Sequence, residues 1–366
     1  MGAGGRMSAQ ANAVLDRVPT TKPPFTLAQI KKSVPPHCFQ RSVITSFSYV
    51  VYDLLIVSFL YYAATSYIHL LPGPPALSGF VWLLYACVQG CVLQGVWIIA
   101  HECGHHAFSD YQWLDDTVGF ILHSALLVPY FSWKHSHRMH HSNINSMEGD
   151  VIFVPKRKET VGYLAKYIDN PIGRSTKIAI LLTMGWPLHI FRNFYTSIYL
   201  KQERFQLLIS NMGVLSVGFV LYRLALARGI SWVIRVYGGP LFVMNVCLVI
   251  LTWLQHTHPS LPHYELDEWD WLRGALSTVD RDYGILNKVF HNVTDTHVAH
   301  HLFPTMPHYH AKEVTKAIKP MLGEYYRFDG TPLMSVIWRE IKECLYVEAD
   351  KDEGASKGIL WFRNKI

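Results

Sequence analysis

Charge is scarce in this chain. Lys, Arg, Asp and Glu make up 16% of its 366 residues, while half of the residues are hydrophobic and 13% are aromatic. An ordinary soluble domain carries about 25% charged residues. The balance excludes a disordered chain and a fibrous one. Paired cysteines are also missing. The six cysteines (Cys38, Cys87, Cys91, Cys103, Cys247 and Cys344) contain no CxxC spacing, and six in 366 residues of this composition exclude a small disulfide scaffold. Cys87, Cys91 and Cys247 lie in apolar runs, as small buried hydrophobes do in a reducing compartment. No basic run is dense enough for a nucleic-acid partner. The formal charge of +6 is a mild excess that suits a cytosolic membrane face. The first 40 residues have neither the apolar stretch of a signal peptide nor the Arg- and Ser-rich bias of a transit peptide. Repeats and low-complexity tracts are absent. Mean hydropathy is +0.13, modest for a pure transmembrane bundle. The chain therefore reads as membrane helices joined to a substantial aqueous part.

Four apolar runs are long enough to cross a bilayer, which takes about 20 helical residues: residues 45–71, 76–100, 205–227 and 236–255. Asp53 sits inside the first, where a charge is costly, so it should face the bundle or lie near an end. Two further apolar pieces, 118–130 and 178–191, are too short to span and read as interfacial helices. Residues 1–44 read as a cytosolic tail with one short helix near 26–32. The fold class is an all-α integral membrane protein. Four transmembrane helices and the interfacial helices carry a helical, histidine-rich cap built from residues 101–204 and 256–366. Four spans put both termini and the cap on one side. Lys31, Lys32 and Arg41 ahead of the first span assign that side to the cytosol, against the opposing weight of Arg223, Arg228 and Arg235.

Histidine is the abundant oddity, with 20 copies. His101, His105 and His106 form one cluster, His137, His140 and His141 a second, and His297, His300 and His301 a third. Helical residues three or four apart share a face, so each cluster offers two ligands side by side, and parity places all three on one side of the membrane. Neutral imidazole suits zinc, copper, iron and nickel. Nine ligands exceed one zinc site, which takes four, and match two six-coordinate metals with open positions. Two iron ions, able to react with O2, are the sharper reading. His256, just after the fourth span, is a tenth candidate. Glu102, Asp150 and Asp295 are candidates to hold the distal N–H of ligand histidines. His308 and His310 read as surface or supporting residues. A membrane metal transporter would also combine helices with histidines, but its ligands sit at midplane within the spans, and these spans are nearly free of histidine.

These clusters, set in Trp133-Lys-His-Ser-His-Arg138 and Thr294-Asp-Thr-His-Val-Ala-His-His-Leu-Phe303, resemble the plant microsomal Δ12 (oleate) fatty acid desaturase family. The resemblance covers nearly the whole chain. Gly2-Ala-Gly-Gly-Arg-Met7, His256-Thr-His-Pro-Ser-Leu-Pro-His-Tyr264, Asp280-Arg-Asp-Tyr-Gly-Ile-Leu286 and Gly323-Glu-Tyr-Tyr326 also look like that family. It implies a membrane-bound non-haem di-iron oxidoreductase with O2 as co-substrate. The implied reaction places a cis double bond at about the Δ12 position of an oleoyl chain on phosphatidylcholine. Hydroxylases, acetylenases, epoxygenases and conjugases share the same scaffold. No His-Pro-Gly-Gly haem motif is present, so the resemblance implies a separate cytochrome b5 and an NADH-dependent cytochrome b5 reductase as electron source. Phe362-Arg-Asn-Lys-Ile366 resembles the family's endoplasmic reticulum retrieval tail, which places the protein in that membrane. The sequence departs from the family pattern in three places. Met139 stands where a second arginine is usual and is a candidate for tuning specificity. Pro304 replaces a serine, and the stretch around 189–203 is shortened.

Overall fold

A computed structural model describes residues 17–162, 169–195, 199–351 and 357–364. The Gly2–Met7 motif, residues 1–16 of the tail and the last two residues of the retrieval-like segment lie outside these, as do residues 196–198 of the shortened stretch. The helix expected near 26–32 is present as α1 (Leu27–Lys32). Thr26 and Gln29 form a reciprocal capping box there, satisfying backbone donors that the first turn leaves open.

Helix α2 (Val43–Tyr67) runs on through a tight turn to Leu70, and α3 covers Pro75–Gly104. The next helices are α4 (Gln112–Ala125), α5 (Tyr130–Ser142) and α6 (Pro171–Tyr195). Then come α7 (Arg204–Arg228) and α8 (Ile230–His256), the latter including a π turn at Ile234–Gly238. Among the described residues, four helical stretches are long and apolar enough to cross a membrane: Val43–Leu70, Pro75–Gly104, Lys201–Arg228 and Ile230–His256. These are the four runs read from the sequence. The fourth starts earlier than the apolar run suggested, because Gly229 alone, at φ +87°, turns the chain from α7 into α8. Phe59 and Phe219, 68% and 60% exposed, show the outward apolar faces such helices present to lipid. Asp53 is 4% exposed and its Oδ2 lies 2.8 Å from His291 Nε2, so it faces the bundle as its cost requires.

Helices α3 and α8 form the centre of the bundle, where Trp97, Ile98, Met244, Leu248 and Leu251 share one core. α3 runs four residues beyond the charge-free 76–100 run and carries His101 into its last turn. α6 is longer than the 178–191 run at both ends, with Pro187 inside it.

The cap adds α9 (Trp271–Leu276), α10 (Ile285–Val289), α11 (His297–Leu302), α12 (Ala311–Leu322) and α13 (Leu333–Glu343). Two small sheets accompany this mostly helical chain. β1 (Pro262–Tyr264), β5 (Ile359–Arg363) and β4 (Tyr346–Ala349) pair antiparallel in that order, with His263 opposite Leu360 and Val347 opposite Phe362. β2 (Asp280–Arg281) and β3 (Phe328–Asp329) pair in parallel. A second core, including Ile30, Val298, Leu302, Val314 and Ile318, joins α1, α11 and α12.

Candidate metal centre

The ends of α3 and α8 deliver His101 and His256 from the bundle to the cap. Helices α5 and α11 lie across those ends. Ligating atoms of His101, His105, His137, His141 and His300 all fall within 4.8 Å of one another. Those of His140, His256 and His301 form a second group under the same limit. His297 joins the second group, with Nε2 3.1 Å from His256 Nε2 and 3.0 Å from His301 Nε2. The groups adjoin: the His141 and His301 rings stack at 4.1 Å.

The HxxHH spacing divides its histidines between the two groups. On α5, His137 and His141 turn to the first group and His140 to the second. On α11, His300 turns to the first, and His297 and His301 to the second. The first cluster behaves differently. α3 ends at Gly104, whose hydrogen lets the Trp133 ring approach; a Cβ there would stand 2.5 Å from it. His106 then adopts a left-handed φ of 57°. Its ring leaves the cluster, and Nδ1 sits 2.7 Å from the buried Asp115. The nine histidines that converge thus include His256 and omit His106.

These rings fit a cation. His101 Nε2 faces His137 Nε2 at 3.0 Å, and His141 Nε2 faces the same His137 atom at 3.1 Å. One nitrogen between two others can satisfy only one of them by sharing a proton. His140 Nε2 and His300 Nε2 are buried without a hydrogen-bond partner. Burial, followed by the neighbouring histidines, holds His105, His137, His141, His297 and His301 well below the usual imidazole range, and His300 at about 3. These six rings are thereby held in the neutral form that a metal ligand requires.

Two of the three candidate acids lie against histidine rings of the two groups. Glu102 Oε1 is 3.1 Å from His101 Nδ1, and Asp150 Oδ2 is 2.9 Å from His140 Nδ1. Asp295 instead pairs with Lys312 at 3.3 Å. Asp280, not singled out by sequence reasoning, accepts the Val298 N–H at 2.8 Å and the Tyr326 hydroxyl at 2.7 Å, anchoring the start of α11. Its only signal was its place in the Asp280–Leu286 motif. Met139 is partly buried on α5. His308 is buried against Tyr49 and His291, and His310 lies beside His37.

A cavity of about 360 Å³ opens onto both histidine groups, with His101 and His137 from the first and His256 and His297 from the second in its wall. The remaining lining is mainly apolar, from Trp97, Trp133, Leu181, Trp186 and Val249 among others. Fold and site define a membrane protein with a paired polyhistidine centre at the end of an apolar chamber.

The sequence profile of the fatty acid desaturase family matches residues 78–331, and that of a domain of unknown function matches residues 5–62. The chain is 62% identical to a Delta(12)-fatty-acid desaturase of Vernicia fordii. It is 61% identical to an omega-6 fatty acid desaturase, endoplasmic reticulum isozyme, of Glycine max, and 57% identical to a Delta(12)-fatty-acid desaturase of Arabidopsis thaliana. All three alignments cover the whole of both chains, over 386 positions against the 366 residues here. This chain belongs to the fatty acid desaturase family and is a membrane-bound oxidoreductase.

Proposed function

We propose that the chain desaturates an oleoyl chain at about the Δ12 position while that chain is esterified to phosphatidylcholine in the endoplasmic reticulum membrane. In this reading His101, His105, His137, His141 and His300 hold one iron, and His140, His256, His297 and His301 hold a second. Bound there, the iron pair supplies O2 activation and the one-electron chemistry that removes hydrogen from an unactivated CH2. The observation that carries the reading is the apolar cavity whose wall includes histidines of both groups.

The chain's own residues supply position and dryness. Glu102 and Asp150 accept Nδ1–H from His101 and His140, which leaves each Nε2 lone pair free for metal. Trp97, Trp133 and Trp186 line the approach and keep water from the reacting carbons. An acyl chain has no polar group near those carbons, so shape selects it. The relatives' names speak for the Δ12 position and the endoplasmic reticulum. Cytochrome b5 and its NADH-dependent reductase supply electrons from the cytosolic face, where the cap and both termini lie. Met139, on the helix bearing three ligands, tunes product ratio.

Expression in a host that makes oleoyl lipids but no diunsaturated ones tests this. A new cis,cis-diene with its second double bond at Δ12, accompanied by two irons per purified chain, is the expected result. A hydroxylated or acetylenic product would move the chain to a different reaction on the same scaffold.

A further inference from the structure

A third set of potential ligands lies apart from the paired histidine centre. His37 and Cys38 belong to the 3₁₀ turn Pro36–Phe39 just ahead of α2. They meet His310 and Glu313, which sit at the start of α12. One ligating atom from each of the four falls within 4.8 Å of all the others. His37 Nε2 is 3.0 Å from Glu313 Oε2 and 3.6 Å from Cys38 Sγ. The His37 and His310 rings meet edge to face at 5.4 Å. Independent contacts fix both sides of the cluster. The Phe39 ring packs on Phe303 at 5.4 Å, and the Ser42 N–H donates to the Tyr309 hydroxyl at 2.9 Å.

We propose that His37, Cys38, His310 and Glu313 bind a structural zinc ion, clamping the segment that enters the first span to the helix that follows the third histidine cluster. Zinc takes four N, S or O ligands at about 2.0–2.3 Å, so tetrahedral ligand atoms stand about 3.3–3.8 Å apart. Two of the separations here, 3.0 and 3.6 Å, require only small side-chain shifts. The charge also balances. A thiolate and a carboxylate cancel the dication, and two neutral imidazoles complete a site with no net charge, which suits a place where Cys38 is 0% exposed. On binding, the Cys38 S–H bond breaks, its proton leaves to solvent and a zinc–sulfur bond forms. A plain His37–Glu313 ion pair would account for two of the residues. It would not use Cys38, whose Sγ stands 3.6 Å from His37 Nε2 while the residue packs in the apolar core with Ile30 and Val34.

Cobalt distinguishes this site from the deep centre, because only this one contains sulfur. Full-length protein purified in detergent and exchanged with Co2+ should show a thiolate-to-cobalt charge-transfer band, and Cys38→Ser should abolish it. His37→Ala and Glu313→Gln alter exposed side chains, so these variants should fold. Each removes a direct ligand and should weaken Co2+ binding at this site by more than the roughly 10–100-fold that loss of an outer-shell partner costs. Zinc content should fall from a single ion per chain to a small fraction, with iron unchanged. Absence of a Cys38-dependent band would overturn the proposal, as would parental zinc content in both surface variants.

Discussion

At the scale of single residues, His106 stands apart from the group that its spacing suggested, while His256, the tenth candidate, stands within it. His106 lies in an unbroken run with His105, so spacing alone includes it. The left-handed backbone at the end of α3 turns its ring onto Asp115, with a third of the side chain in solvent. His256 carries no cluster signature, but the last turn of α8 brings it within 3.1 Å of His297. The distinction is measurable. His105→Ala, His140→Ala and His300→Ala should each abolish product and lower iron content. His106→Ala should keep both irons and lose about 1–3 kcal/mol of stability, the cost of leaving Asp115 buried without that partner. Loss of iron from the His106 variant would show that the ring turns inward when metal binds. Most of the histidines that converge were legible in the sequence because clusters of imidazoles have few other uses. The path of the backbone past Gly104 was not, since nothing in a histidine run says where its helix ends.

At the scale of elements, the four spans were legible because length and hydropathy suffice to identify them, whereas the small sheets were not. β1 pairs with β5 across nearly a hundred residues of chain, with Pro262 opposite Trp361, and each strand is too short to show a period. The same remoteness hides the ionic cluster that joins the end of α8 to the cap. Arg281, on β2, donates to the carbonyls of Leu254 and Thr257 and to the carboxylates of Asp329 and Glu340. Arg339 reaches the same two acids. Burial pushes Asp329 up, but hydrogen bonds from Arg339 and Thr331 and the charge of Arg281 outweigh it and hold the carboxyl below its usual range. A depressed carboxyl contributes stability that is complete above its unfolded value, about 3.9. That contribution is lost as pH falls through the folded value. Arg281→Met should therefore cost about 3–5 kcal/mol, because it leaves two buried acids to one arginine. The deficit should be largest near neutral pH and narrow in acid, because without Arg281 the Asp329 carboxyl has less depression to lose. Denaturant unfolding followed by circular dichroism at several pH values would show this. An unchanged acid profile would show that Arg339 alone sustains the cluster.

Cavity and metal centre meet where α6 crosses α8, and this too is an element-scale relation. Gly185 lines the chamber, and a Cβ there would lie in ordinary contact, 3.4 Å from Val249. Alanine is thus accommodated, while a longer side chain must enter the space an acyl chain would use. Gly185→Ala should keep near-parental turnover. Gly185→Leu should reduce it at least about tenfold, the loss expected when roughly 1.4 kcal/mol or more of acyl binding is withdrawn. Iron content should not change, since no ligand is touched. Equal turnover in the two variants would place the acyl chain elsewhere.

At the scale of the whole molecule, four spans commit the chain to a topology that can be measured directly. With four crossings, the segment before α2, the stretch from α4 to α6 and everything after α8 should share one side by parity. Contacts across these segments agree: Arg41 pairs with Asp110 at 2.7 Å, and His37 with Glu313 at 3.0 Å. The two short turns, Leu71–Pro74 and Gly229, should then lie on the other side. The basic residues pull both ways, with Lys31, Lys32 and Arg41 on the cap side and Arg223, Arg228 and Arg235 around the second turn. The connection between the first two spans carries no charge, so the basic segment ahead of α2 decides how the first hairpin inserts. The cap should therefore face the cytosol. A loop bearing an Asn-x-Thr acceptor, inserted after Gly73, should be glycosylated in microsomes, whereas the same acceptor placed ahead of α1 or after β5 should stay unmodified. Modification at either of those two positions, with none at Gly73, would invert the protein and put the histidine centre out of reach of a cytosolic electron donor.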